Sequence, residues 1–325
     1  MDTSATSALH AGLSAEVRAL LDWHARHAPP LDADIAELRA WHDVVGARYG
    51  IAPAPVGLVR DIAVDETHHP ASVRVYEPIE GATRAAIFFA HGGSWMLGSV
   101  DSHDGLCRRI CQATGLTVLS AEYGLAPENP FPHQTEDCIR IFEWVGAHGR
   151  ELGIDPDALI VCGDSSGANL VAVLVHELQK RDAALPMAQI LIYPSVAMSK
   201  HRSYASWKTY GTGFLIGENS LVRTMKLYLP NDTALKDPRA SPLLYDNFSD
   251  QPPALVITAD HDPIRDGGRE YAAKLIAAGV DTRFVEYPGT IHGFLSYGIP
   301  QRPVEDALRE IGTFVKGILA ARCPK

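Results

Sequence analysis

A chain of 325 residues with 46% hydrophobic and 21% charged residues has the composition of an ordinary folded protein and enough length to bury a large core. Its net charge of −10 argues against nucleic acid as a partner, because that binding rests on clustered Lys and Arg and no basic run of the needed density is present. No apolar run approaches the roughly 18–20 residues of a membrane-crossing helix, so no membrane association is expected.

The first residues, MDTSATSALHAGLSAEVRAL, lack a basic segment followed by a continuous apolar one and do not read as a secretory signal. A cytoplasmic protein with reduced thiols is the expectation. The five cysteines (Cys107, Cys111, Cys138, Cys162 and Cys323) are odd in number and scattered, unlike a disulfide framework. Cys107 and Cys111 are spaced i, i+4, but no CxxC or His-x-x-x-His completes a metal site, so buried thiols and no metal are expected.

Residues 13–49 carry helical periodicity, with Leu13, Val17, Leu20 and Leu21 on one face, then Ile35, Leu38, Trp41 and Val45. Pro29-Pro30 separates the two segments, and Gly50 with the following IAPAPVG closes this arm. Residues 1–50 are therefore an N-terminal helical arm, and residues 51–325 a second unit. From about residue 57 short β-rich runs alternate with helical ones. The strands are Leu58–Val64, Ser72–Tyr76, Ala85–Ala90, Thr117–Glu122, Leu159–Cys162, Gln189–Tyr193, Ala254–Thr258 and Arg283–Tyr287. The helices are Gly105–Ala113, His133–His148, Ser166–Lys180, Gly268–Ala278 and Val304–Ala320. The central strands (IFFA, LIVCG, ILIYP, ALVIT) are nearly continuous apolar runs, as in parallel strands covered on both faces. The first two alternate more and suit an antiparallel edge. The architecture predicted is a doubly wound, mostly parallel α/β sheet of about eight strands. Residues 196–240 interrupt the rhythm with no convincing strand and read as an inserted cap, which the arm would join.

Gly163-Asp164-Ser165-Ser166-Gly167 follows an apolar strand and opens a helix. G-x-S-x-G in that setting puts a serine on a strained strand-to-helix turn, where small neighbours avoid clashes and the helix N-terminus favours developing negative charge. A serine needs a base to take its proton. Two downstream loops offer the partners: Ala259-Asp260-His261-Asp262-Pro263-Ile264-Arg265-Asp266 and Tyr287-Pro288-Gly289-Thr290-Ile291-His292-Gly293-Phe294. In a parallel sheet both loops emerge at the edge that carries Ser165, which is where such sheets place ligands. Spacing does not choose between Asp260 and Asp262 as the acid.

These motifs, together with His91-Gly92-Gly93 and Tyr123-Gly124-Leu125-Ala126-Pro127-Glu128, resemble the hormone-sensitive-lipase-like (GDXG) branch of the α/β-hydrolases, most closely the bacterial acetyl esterases, over roughly residues 85–320. The resemblance implies an α/β-hydrolase fold with a helical cap and a serine carboxylesterase without cofactor. It implies Ser165 as nucleophile, His292 as base and Asp262, the first aspartate of the family's D-P-L-R-D run, as acid. It also makes the glycine-rich loop after the third strand, Gly92, Gly93 and Ser94, an oxyanion hole together with Ser166; adjacent glycines let backbone N–H groups approach a substrate. The sequence departs from the family twice: Ser94 replaces a third glycine, and Gly124 stands where the family has arginine.

Short acyl chains, acetyl to butyryl, are what the resemblance implies for a small-molecule ester substrate. Trp95, Trp207, Tyr210 and Phe214 are candidates to wall an acyl pocket, or else core of the cap. An amidase or arylformamidase with the same triad is the alternative activity, and a non-catalytic binding homologue is the rival from another class. A homodimer is compatible with the sequence.

Overall fold

Eight strands form one sheet: β1 (Leu58–Ala63), β2 (Ser72–Glu77), β3 (Ala86–Ala90), β4 (Thr117–Glu122), β5 (Leu159–Asp164), β6 (Ala188–Ile192), β7 (Ala254–His261) and β8 (Thr282–Ile291). The computed structural model describes residues 10, 12–64, 71–81 and 83–322. The order across the sheet is β1-β2-β4-β3-β5-β6-β7-β8. β1 pairs antiparallel with β2, and β2 with β4; every other pair is parallel. The expected antiparallel edge is thus the β1–β2 hairpin.

The helices are α1 (Ala15–His27), α2 (Ile35–Tyr49), α3 (Asp104–Thr114), α4 (His133–His148), α5 (Ser166–Lys180), α6 (Ala205–Tyr210), α7 (Glu218–Leu227), α8 (Arg265–Ala277), α9 (Phe294–Tyr297) and α10 (Gln301–Arg322). The apolar strands separate two cores because successive side chains face opposite ways. In β3, Ile87 and Phe89 join Leu106 and Ile110 of α3 and Leu308 and Ile311 of α10. Phe88 and Ala90 join Ile141 and Phe142 of α4 and Leu170 and Val173 of α5. Covered on both faces, β3 has no solvent side, so its sequence shows no alternation.

The last two strands outrun the expected boundaries the most. β7 continues to His261 and β8 to Ile291, with a bulge at Ala259/His261 and the pairing His261↔Ile291. That register sets the next residues, Asp262 and His292, side by side. The extension of β8 runs through Pro288-Gly289, in the segment expected to follow the last strand as a loop.

Between β6 and β7 the chain forms α6, α7 and single 3-10 turns, with no strand among the described residues. The arm packs on this segment. Ser14 caps α1, and an Asp34–Glu37 capping box starts α2. Leu13, Val17, Leu20 and Leu21 form a cluster with Phe214 and Ile291. Arg223 of α7 donates to the carbonyls of Pro29 at 3.1 Å and Leu31 at 3.4 Å. Leu38 and Val45 of α2 are buried as expected, whereas Trp41 stacks on Trp23 with ring centroids 4.8 Å apart. Cys107, Cys111, Cys138 and Cys162 are free and buried; Cys323 lies outside the described residues.

Candidate active site

Ser165 stands between β5 and α5 with φ 55° and ψ −117°, a conformation that costs an L-residue about 1–3 kcal/mol. The surroundings hold it there. Its N–H donates to Ile192 O at 2.9 Å, and its carbonyl accepts from Ser195 N–H at 3.1 Å. The flanking glycines are steric requirements: a Cβ on Gly163 would lie 2.5 Å from Gly167 O, and one on Gly167 only 2.1 Å from Ala90 O.

The structure brings the three predicted side chains into one line. His292 Nε2 is 2.8 Å from Ser165 Oγ, and His292 Nδ1 is 2.8 Å from Asp262 Oδ2. With Nδ1–H donating to the carboxylate, Nε2 is left as the acceptor for the serine proton. Asp262 is fully buried, and its Oδ1 accepts Ile264 N–H at 2.9 Å. The neighbouring aspartates do other work. Asp260 faces His261 Nδ1 at 2.6 Å and accepts the N–H groups of Gly289 at 2.9 Å and Thr290 at 3.1 Å, which pins the end of β8 just before His292. Burial alone would raise its carboxyl; His261 and the two N–H donors outweigh burial and hold it below the usual range. Asp266 accepts Ser206 N–H at 2.9 Å and ties α8 to α6.

The glycine loop lies against this turn. Gly93 has φ 120°, and a Cβ there would sit 2.0 Å from Leu97 O. Ser94 and Trp95 follow in the left-handed region at φ 55° and 60°. Serine in place of the third glycine is therefore accommodated, at a cost of roughly 1–2 kcal/mol. Trp95 N–H donates to Ser166 Oγ at 3.3 Å, while the N–H of Ser166, at the start of α5, has no acceptor within the helix.

Gly92, grouped with the oxyanion donors on the sequence, does not fit that role. Its N–H is committed to Asp164 Oδ1 at 2.8 Å, and a Cβ would meet Asp164 Oδ2 at 2.8 Å. It lets the loop dock on a buried carboxylate 72 residues away. Asp164 also faces His103 Nε2 at 3.3 Å. Burial alone would raise the Asp164 carboxyl; the imidazole of His103 and the Gly92 N–H outweigh it and hold the carboxyl below the ordinary range. His91 completes the seat. Its Nδ1 is 2.8 Å from Gly92 O, its ring stacks on Tyr123 at 4.4 Å, and burial pushes it down to about 3, so it is neutral.

At Gly124, where the family has arginine, the His133 ring lies 2.9 Å from the position of a Cβ, and Gly124 N–H donates to Asp137 Oδ2 at 2.9 Å. Another arginine braces the loops. Arg39 of α2 donates through Nε to Met96 O at 3.1 Å and through Nη2 to Ala126 O at 3.1 Å. It also grips Glu128 through Nη1 and Nη2, at 2.8 and 2.7 Å. Sequence reasoning missed Arg39, since no local pattern signals a contact spanning 57 to 89 residues.

Two cavities meet at Ser94 and Ser165. The smaller spans about 440 Å³, part of it open to solvent, and is walled by Trp95, Met198, His201, Trp207, Leu221 and Ile264 among others. The larger encloses about 1680 Å³, part of it open to solvent, and is bordered by Trp41 and His42 of the arm, Phe214 and Tyr297. Of the predicted pocket residues, Trp95 and Trp207 line the smaller cavity and Phe214 the larger. Tyr210 lines neither: it packs on Phe214 at 5.2 Å and on His261 at 5.3 Å, with the Arg265 guanidinium 5.7 Å from its ring. Met198, His201 and Leu221 were not foreseen.

A family model described as alpha/beta hydrolase fold matches residues 87–296. The chain belongs to that family. An arylesterase of Saccharolobus solfataricus is 35% identical over 266 residues, 81% of this chain and 85% of that protein. An ethyl acetate hydrolase of Pseudomonas putida is 36% identical over 234 residues, 71% of this chain and 73% of that protein. A hyperthermophilic esterase from the archaeon Pyrobaculum calidifontis has TM-score 0.88 and 32% identity, over 94% of this chain and 99% of that one.

Proposed function

We propose that this chain, a carboxylic ester hydrolase, cleaves short-chain acyl esters, acetyl to butyryl, through an acyl-enzyme on Ser165. The observation that carries the reading is the continuous line Asp262–His292–Ser165, with both links 2.8 Å long. Ser165 attacks the acyl carbonyl as His292 takes its proton; Asp262 holds the imidazole in the needed tautomer and stabilises the imidazolium. The tetrahedral oxyanion is met by the N–H groups of Gly93, Ser94 and Ser166, which need no reorganisation. His292 then protonates the leaving alcohol, and water repeats the cycle on the acyl-enzyme.

The acyl group occupies the smaller cavity, which Trp95, Trp207, Met198 and Leu221 help to wall, and the alcohol occupies the larger cleft. The relative that acts on ethyl acetate supports a short acyl chain. The arm and the insertion of about residues 196–240 act as one cap over Ser165; the Phe214 cluster and the Arg223 bonds support that division. The four free, buried cysteines suit a reducing compartment, and we place the enzyme in the cytoplasm. A kcat/KM series over 4-nitrophenyl esters from acetate to dodecanoate tests the reading. The expected maximum is at butyrate or shorter; a maximum above about C8 refutes it.

A further inference from the structure

Most of the wall of the smaller cavity is apolar, yet it carries polar groups that the protein leaves unpaired. His201 opens the single 3-10 turn His201–Ser203 and is only 3% exposed. Its ring lies flat on Trp207, with centroids 5.6 Å apart and planes 6° apart. Its Nδ1 is buried without a hydrogen-bond partner. Burial, with the catalytic His292 nearby, pushes this imidazole down to about 3. Near neutral pH it therefore offers one N–H donor and one lone pair. Ser195 lines the same cavity. Its backbone is fully used, with N–H to Ser165 O at 3.1 Å and O accepting from Asn169 Nδ2 at 2.9 Å, while its hydroxyl has no partner among the described residues.

A purely greasy acyl pocket would not need this arrangement. Phenylalanine at 201 would keep the stack on Trp207 and avoid burying an unpaired nitrogen, which is unfavourable unless something pairs with it. A ligand oxygen that reaches the imidazole recovers that loss. A pocket built to hydrogen-bond such an oxygen also discriminates strongly against the analogue lacking it, whereas an apolar pocket barely separates the two.

We propose that the acyl cavity is built for short acyl groups bearing a hydrogen-bonding oxygen, hydroxyacyl or ketoacyl esters, and that His201 is the specificity-determining residue that pairs with that oxygen. The neutral ring can donate to a ketone or accept from a hydroxyl, and the Ser195 hydroxyl provides a second partner. This preference presupposes the short-acyl esterase reading above.

The test compares kcat/KM for ethyl butyrate, ethyl acetoacetate and both enantiomers of ethyl 3-hydroxybutyrate in the wild type, His201→Phe and His201→Gln. The readout is the ratio of substituted to plain ester within each enzyme, so a loss of folded protein cancels. The wild-type ratio should exceed one for at least one substituted ester. It should fall at least about tenfold in His201→Phe, which removes both nitrogens, and stay within about threefold in His201→Gln, which keeps a donor and an acceptor. A wild-type ratio below one for every substituted ester, or a ratio unchanged in His201→Phe, overturns the proposal. If the wild type cleaves none of these esters, the esterase reading itself fails and takes this preference with it.

Discussion

Arg39 offers a sharp test of how the arm supports the chemistry. Its guanidinium holds Met96 O, in the glycine loop, and Ala126 O, in the loop after β4, while Ala126 N–H donates to Trp95 O at 3.0 Å. The arm thus fixes the segment that carries the proposed oxyanion donors. The ion pair with Glu128 is weak, because the two side chains are 34% and 53% exposed; about 0–1 kcal/mol is appropriate. The two bonds from a charged donor to carbonyls contribute about 1.5 kcal/mol each, the low end for charged groups given the partial exposure. Arg39→Ala therefore loosens the loop by roughly 3 kcal/mol. Loss of a whole oxyanion donor, about 10²–10³ in kcat, bounds the catalytic effect from above. We expect kcat to fall about 10–100-fold, with KM within about threefold and a melting temperature lower by several degrees. Steady-state kinetics on a short ester and a thermal melt measure both. Glu128→Gln, which removes the ion pair but leaves the carbonyl bonds, should keep kcat within about twofold. Wild-type kcat in Arg39→Ala, or an equal loss in Glu128→Gln, would refute the reasoning.

Asp262→Asn should lower kcat about 10⁴-fold, whereas Asp260→Asn should leave kcat within about tenfold but cost roughly 1–3 kcal/mol in urea unfolding; the reverse pattern would show the acid to be Asp260. Gly92→Ala places a Cβ 2.8 Å from Asp164 Oδ2 and 3.0 Å from its carbonyl oxygen, so the loop must shift, and activity on a short ester should fall by more than about tenfold. Burial holds His176 down to about 3, below its unfolded value of 6.5, so only the unfolded chain takes up this proton as pH drops through that window. This histidine contributes stability that is present above pH 6.5 and declines towards pH 3, by about 1.4 kcal/mol per pH unit. Urea titrations at pH 7, 6 and 5 should show a correspondingly shallower decline for His176→Gln, and parallel declines would contradict the assignment.

How far the molecule is legible in its sequence follows from where the decisive contacts lie. β3, β5 and β6 announce themselves because both faces are covered, which leaves no polar side to dilute the apolar run. The end of β8 hides behind Pro288-Gly289, a turn by composition that here continues pairing past a bulge. That hidden register, His261 opposite Ile291, is what separates Asp262 from Asp260, so spacing alone could not choose between them. Gly92 has the residue type of an oxyanion donor, and only the buried Asp164 reveals where its N–H goes. Trp207 and Tyr210 share one six-residue helix, and packing sends the first to the cavity and the second onto His261. The serine turn needed no distant information, because its glycines and its strand-to-helix setting are local.

The central claim is that Ser165 is the nucleophile, and active-site labelling measures it most directly. Incubation with a fluorophosphonate, read by intact mass and peptide mapping, should give one adduct per chain on Ser165. That adduct should be absent in Ser165→Ala, whose kcat should fall by about 10⁶. An adduct on another residue, or near-normal turnover by Ser165→Ala, would contradict the account.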